Sequence, residues 1–140
     1  MDEDIVINTC FSVFIIIFIV FYRFNIIKNS TDKLFSYLAI ICSIILLFAK
    51  TNYLIDFGHF IYIILYLCGV TFFSYNKYLL SFNVIMLFNI IFTRYYYGYC
   101  ILEEKHNNQG FYASITGYLN INWDYGFPIL FFVSLVKLLN

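Results

Sequence analysis

Charged residues are scarce in this 140-residue chain, and they are nearly absent from its long apolar runs. Lys, Arg, Asp and Glu make up 11% of the residues, against about 25% in a typical soluble domain. The uncharged runs are 5–22, 34–49, 57–76 and 78–93. Each run approaches the ~20 apolar residues that a helix needs to cross a bilayer core. The composition therefore excludes an ordinary soluble domain and predicts a multi-pass integral membrane protein.

Proline, alanine and arginine are also rare, whereas phenylalanine and tyrosine are abundant. The chain has 1 Pro, 3 Ala and 2 Arg, beside 18 Phe and 14 Tyr. Phe, Tyr, Ile, Asn and Lys have AT-rich codons, whereas Ala, Arg and Pro have GC-rich ones. This usage indicates an AT-rich genome, as in organelles, some protists and many large DNA viruses. The expected location is therefore a mitochondrial inner membrane or a viral or host internal membrane.

The chain also lacks a charge excess and close cysteine pairs. Eight basic and eight acidic residues give a net charge of zero, so there is no basic patch of the kind that nucleic-acid binding requires. The four cysteines are spread about one per apolar run, without a C-x-x-C pair. Metal and dithiol chemistry favours close pairs, so we expect inert, membrane-embedded thiols. We predict no nucleic-acid partner, no metal and no cofactor.

The apolar runs predict an all-α fold in one transmembrane domain with four to five transmembrane helices. The predicted spans are about 5–22, 34–49, 57–75, 78–97 and 125–139. The fifth span is short, and it crosses only if the Lys137 ammonium reaches the membrane surface. The acidic start of the chain is unlike the basic start of a cleaved signal, so we expect the first span to be retained.

The connections between the spans carry the turn and capping residues. We predict a turn at 29–32, a connection at 51–58 that holds Asp56, and a tight hairpin at 76–77 that Lys77 sets. Asp124 is the expected N-cap of the last helix, with Pro128 in its first turn. With five crossings, five basic residues fall on one side of the membrane and three on the other. This imbalance favours an outside N-terminus and an inside C-terminus.

The segment 100–124 mixes charged, polar and aromatic residues. This pattern predicts a polar loop followed by an interfacial amphipathic helix. Its aromatic residues repeat at helical spacing on one face, which is typical of a helix that lies on the membrane surface. Aromatic anchors dominate interface energies, so we expect this segment to bind another membrane subunit. The interaction candidates, none of them catalytic, are Phe111, Tyr118, Trp123, Glu103, Glu104 and Arg94.

Three function classes are compatible with these features. The first four predicted spans carry no acidic or basic residue between their ends, which disfavours a pump or a proton-coupled carrier. The favoured function is a structural or accessory subunit whose partners are the lipid bilayer and other membrane proteins. The alternative is a small enzyme or carrier acting on a lipid-like substrate at the outer interface, where Arg could bind a phosphate. Its expected residues are Arg94, His59, Glu103, Glu104 and His106. A third class is an electron-transfer anchor with a haem between the two histidines.

Overall fold

The computed structural model describes residues 3–100 and 120–140, and within these ranges the protein is helical without a strand. Four of the described helices, α1 to α4, are long and apolar enough to cross a membrane, and α5 is shorter, with 17 residues. The helices are α1 Glu3–Arg23, α2 Ser30–Phe48, α3 Asn52–Phe73, α4 Lys77–Tyr97 and α5 Trp123–Leu139. The fold is therefore a bundle of antiparallel neighbours, as the apolar runs predict.

The third helix, α3, is not a uniform α-helix. Its first part, Asn52–Ile61, and its last part, Gly69–Phe73, are α-helical, and the π-helical segment Tyr62–Cys68 lies between them. A π-helix bonds each N–H to the carbonyl five residues earlier, which widens the helix and turns its side chains relative to an α-helix. This wide turn packs into the centre of the bundle, because Tyr62, Ile63, Tyr66 and Leu67 are all buried.

Two helices begin earlier than the sequence predicts. The predicted turn at 29–32 is wrong beyond Asn29, because α2 starts at Ser30 and Asn29 is its extended N-cap residue. The predicted connection at 51–58 is also wrong, because α3 starts at Asn52 and includes Asp56. In both places a Ser, Thr or Asp that favours a turn equally favours the first turn of a helix.

The last helix also starts before its predicted cap. Asn122 is the N-cap of α5, and its side chain accepts a hydrogen bond of 3.0 Å from the Asp124 N–H. The prediction that Asp124 caps this helix is therefore wrong. Asp124 lies in the first turn instead, where its carboxylate opposes the positive end of the helix dipole, and Pro128 lies inside the helix.

Aromatic rings fill the centre between α1, α3 and α4. The Phe18 ring lies 5.7 Å from Tyr66 and 5.0 Å from Phe82, in both cases edge to face. Phe14 and Phe82 make a similar contact at 5.4 Å. Such pairs contribute about 0.5–1.5 kcal/mol each beyond the area that they bury. The abundance of Phe and Tyr in the sequence is thus used partly for a specific interior packing.

Polar contacts join the helices at one end of the bundle, which is the end that carries most of the basic residues. At this end Ser74 after α3 bonds Asp32 of α2, and Asn76 before α4 bonds the carbonyl of Ile26 after α1. Lys137 of α5 reaches the same end, where its Nζ donates to the carbonyl oxygens of Thr71 and Phe72. We name this the Asn76 end. The ion pair between Arg94 and Asp124 lies at the opposite end of the bundle.

Candidate functional site

Arg94 and Asp124 form an ion pair that joins the last turn of α4 to the first turn of α5. The Arg94 Nη2 and Nε atoms donate to Asp124 Oδ1 at 2.7 and 3.2 Å, and the guanidinium lies 5.9 Å from the centre of the Phe127 ring. The Asp124 carboxylate therefore already compensates the charge of Arg94. A guanidinium held in this way is a poor phosphate ligand, because an incoming phosphate would have to replace Asp124.

A cavity of about 230 Å³ lies beside this ion pair. Its walls are mainly apolar and aromatic, and they come from the ends of α4 and α5. The lining residues are Ile91, Arg94, Tyr95, Trp123, Asp124, Phe127 and Pro128. His59 does not line this cavity.

His59 lies inside the bundle rather than at its surface. It is 1% exposed, and its Nε2 lies 3.8 Å from the Cys100 Sγ atom. Asp56, one turn earlier in α3, is 2% exposed. The sequence predicts Asp56 in a connection and His59 near the outer interface, whereas both side chains are buried within the bundle at this end of α3. The early start of α3 places both side chains within the helix instead of in a loop.

The sequence-predicted interaction residues are only partly within the described ranges. Trp123 is the first residue of α5, is half buried, and stacks on Phe127 with ring centres 5.0 Å apart. Arg94 lies next to it, as described above. The remaining candidates, Phe111, Tyr118, Glu103 and Glu104, lie outside the described residues, as do His106 and the predicted interfacial helix. The partner contact therefore stays a prediction.

A fully buried hydrogen-bond cluster joins α3, α4 and α5. The Asn83 Nδ2 atom lies 3.0 Å from Thr71 Oγ1 and 3.1 Å from Ser134 Oγ. The two hydroxyl oxygens are 2.8 Å apart. Thr71 Oγ1 and Asn83 Nδ2 also donate to the Leu67 carbonyl in the π-helical segment, at 2.8 and 3.4 Å. These groups bond one another in the interior of the bundle, and the buried Asn83 Oδ1 atom has no hydrogen-bond partner among the described residues.

A second polar cluster holds the Asn76 end together. Asp32 and Ser74 are both buried, and the Ser74 hydroxyl donates to Asp32 Oδ1 at 2.9 Å. The same Ser74 oxygen accepts the Asn76 N–H at 3.1 Å. Ser36 also bonds locally, to the Asp32 carbonyl at 2.8 Å. The Asp32 carboxylate thus takes part in helix packing, which the sequence did not reveal.

The predictions made from the sequence do not include Ser134 or Asp32 as packing residues. A signal for Ser134 exists, because it is the one polar residue in the apolar stretch 129–136. Asp32 has no comparable signal, since its partner Ser74 is 42 residues away. Asn76, which the sequence places in the hairpin before α4, is the N-cap of that helix.

No group of three or more His, Cys, Asp or Glu side chains that could hold a metal ion occurs within residues 3–100 and 120–140. Cys10 is exposed on the outer face of α1, and Cys42 is buried between helices.

Comparisons of the chain with protein-family models, with curated proteins and with solved structures found no match. Function is therefore inferred from the described residues themselves. They define a helical bundle with at least four helices suited to a membrane, whose polar side chains bond helix to helix.

Proposed function

We propose that the chain is a small structural or accessory subunit of a larger membrane assembly, held in the bilayer by four or five transmembrane helices. The observation that carries the proposal is the use of the interior polar groups. The Asn83 cluster and the Asp32–Ser74 pair each join separate helices. Polar groups that line a transport path or a catalytic pocket would instead face an open cavity.

The outer surface of the bundle supports the same proposal. Large apolar side chains face outwards on the long helices, for example Ile16 on α1 and Ile85 on α4. On α4 the rings of Phe88, Phe92 and Tyr96 stack in sequence, with centres 6.4 and 6.3 Å apart. A helix that presents such residues outwards faces lipid or another apolar protein surface. Both environments are available to a subunit within a membrane complex.

The finer features of the proposal come from the sequence. The sequence predicts a polar loop and an interfacial helix in the segment 100–124, and we propose that this segment binds the neighbouring subunit. The AT-rich codon usage favours a mitochondrial inner membrane or a viral or host internal membrane. The alternative, an enzyme or carrier for a lipid-like substrate, requires Arg94 and His59 in one pocket. The Arg94–Asp124 pair and the burial of His59 against Cys100 both favour the subunit over this alternative.

The size of the particle that contains the chain tests the proposal. In a mild detergent such as digitonin, the tagged chain should migrate on a native gel as a complex far larger than its own 16.7 kDa. Replacing Phe111, Tyr118 and Trp123 together by Ser should release the chain from that complex, because aromatic anchors dominate interface energies. The released chain should still resist extraction by alkaline carbonate.

A matched control uses exposed aromatic residues elsewhere on the bundle. Phe24, Phe48 and Tyr53 are each well exposed, and replacing all three by Ser should leave the complex intact. A chain that migrates alone in the mildest detergent overturns the proposal, and so does a triple variant at 111, 118 and 123 that assembles normally. An enzyme with its site in this segment would keep its partners and lose turnover.

A further inference from the structure

A groove between α1 and α2 combines an apolar floor with a basic rim. Its volume is about 240 Å³. Phe18, Ile27 and Ile40 contribute to the floor, and Arg23 and Lys33 stand at the rim. Neither the helix packing described above nor the proposed subunit contact uses this groove. It lies at the Asn76 end, on the opposite end of the bundle from the Arg94–Asp124 pair.

The two cations at the rim are not compensated within the described part of the chain. Arg23 is the last residue of α1, and Lys33 lies in the first turns of α2. Neither makes an ion pair with a described acidic residue. Asp32, the acidic neighbour of Lys33, is buried and accepts the Ser74 hydroxyl instead. Two uncompensated positive charges at the edge of an apolar groove create a field that attracts an anion.

Two tyrosines indicate where the rim stands relative to a membrane. Tyr22 and Tyr37 line the same groove, with ring centres 6.2 Å apart, and both are exposed. Tyrosine is enriched at the membrane–water boundary, where its ring is apolar and its hydroxyl is wet. Ile19 and Ile40 lie about 6 and 10 Å further along their helices than the cations, towards the bilayer centre.

The rim is held in place before any ligand binds. The connection from α1 turns back through a bond of 3.0 Å from the Ile26 N–H to the Phe21 carbonyl. Asn76 Nδ2 then donates to the Ile26 carbonyl at 2.9 Å, and Ile27 is buried beneath the groove. A preformed site loses less conformational entropy on binding than one that must order itself.

We propose that this groove binds one anionic glycerophospholipid, whose phosphate contacts Arg23 and Lys33 and whose acyl chain lies along Ile19 and Ile40. Basic pockets between transmembrane helices bind acidic lipid headgroups in this way, and a guanidinium suits a phosphate because it donates two parallel hydrogen bonds. The inference rests on the proposed membrane location of the chain, and it does not depend on assembly into a larger complex.

Lipid titration of the purified full-length chain in detergent, followed by native mass spectrometry, tests the role of the cations. Phosphatidylglycerol should bind more tightly than phosphatidylcholine. The double variant Arg23→Gln/Lys33→Gln should bind phosphatidylglycerol roughly 30-fold more weakly, because both cations attract the anionic headgroup and contribute similar amounts. It should also lose the preference for phosphatidylglycerol over phosphatidylcholine. Lys28→Gln removes a nearby exposed charge that does not line the groove, and it should change the affinity little. A double variant that retains the preference overturns the proposal.

A second pair of variants tests the groove without touching the charges. Ile19 and Ile16 are 55% and 60% exposed on α1, and only Ile19 lines the groove. Ile19→Trp should fill the groove and block the lipid, whereas Ile16→Trp should not. Circular dichroism checks that each variant is folded. Equal lipid binding by both variants contradicts the proposal.

A competition experiment separates a lipid from a small anion. Millimolar inorganic phosphate should not displace phosphatidylglycerol, because the acyl chain contributes much of the binding. Complete displacement would show a site for free phosphate and overturn the lipid assignment. These measurements use the isolated chain, so a chain that binds the lipid but forms no complex would overturn the subunit proposal alone.

Discussion

Thr71 Oγ1 and Ser134 Oγ lie 2.8 Å apart in the interior of the bundle, towards its Asn76 end, where they join α3 to α5. The Asn83 Nδ2 atom, on α4, donates to both oxygens, and all three side chains are fully buried. The cluster sits next to the π-helical segment, because the Leu67 carbonyl also accepts from it. The irregular backbone of α3 and its polar partners thus form one unit that fixes three helices relative to one another.

We predict that Asn83→Leu destabilises the bundle by about 1 kcal/mol, the typical contribution of a hydrogen bond between membrane helices. The variant also leaves the two hydroxyls without their amide donor. Thermal unfolding in a mild detergent, followed by circular dichroism, measures the change. Asn89→Leu is the matched control, because Asn89 is exposed on the same helix, and its unfolding midpoint should not fall. Equal midpoints for the two variants would show that the cluster contributes little.

Gly69 is the point of close approach between α2 and α3. A Cβ atom added there would lie 2.5 Å from Phe35 Cε1 and 2.9 Å from Phe35 Cζ. The Phe35 ring is buried, so the side chains packed around it restrict the shift that would relieve the clash. We predict that Gly69→Ala destabilises the bundle by about 1–3 kcal/mol through overpacking.

A compensating substitution separates this steric effect from helix propensity. Ala favours a helix over Gly, so a propensity effect alone would stabilise the variant. In the double variant Gly69→Ala/Phe35→Leu, the smaller side chain leaves room for the new methyl group. The double variant should therefore be more stable than the sum of the two single changes predicts. Additive unfolding free energies would argue against the clash.

Lys137 donates hydrogen bonds to carbonyl groups at the C-terminus of α3. Its Nζ donates to the Thr71 and Phe72 carbonyls at 3.0 and 3.2 Å and lies 4.3 Å from the centre of the Tyr75 ring. Helix-end carbonyls lack an intrahelical partner and attract a cation. We expect Lys137→Met to lower the unfolding free energy by about 1 kcal/mol. Lys137→Arg, which keeps the charge, should retain most of it. If Met and Arg are equivalent, these contacts add no stability.

The sequence predicts the helical fold well, but it predicts the first residues of the helices and the buried polar side chains poorly. The all-helical fold and four helices of membrane-spanning length follow from apolar runs, because run length is a local property. The first residues of α2 and α3 do not, since Ser, Thr and Asp favour both turns and helix starts. The burial of Asp32, Asp56 and His59 also escapes prediction, because it depends on partners from distant parts of the chain. The same limit applies to the groove between α1 and α2, whose two cations come from different helices.

The turn between α3 and α4 has two possible causes, the charge of Lys77 or the hydrogen bonds of Asn76. The sequence predicts that Lys77 sets this turn, yet Lys77 is exposed, whereas Asn76 makes several bonds. Asn76 Oδ1 accepts the N–H groups of Tyr78 and Leu79 at 3.0 and 3.3 Å, and its Nδ2 reaches Ile26. Losing an N-cap side chain costs about 1 kcal/mol, and the Ile26 bond adds to that.

We therefore expect Asn76→Leu to destabilise the purified chain by about 1–2 kcal/mol, and Lys77→Leu to change the unfolding midpoint little. Insertion is a separate readout, because Lys77→Leu extends the apolar run and removes the charge that would stop it. Labelling of single cysteines placed in the loops after α1 and after α4 reports whether α3 and α4 both cross. A Lys77→Leu chain with unchanged labelling assigns the turn to Asn76. Altered labelling with an unchanged Asn76→Leu midpoint assigns it to the charge.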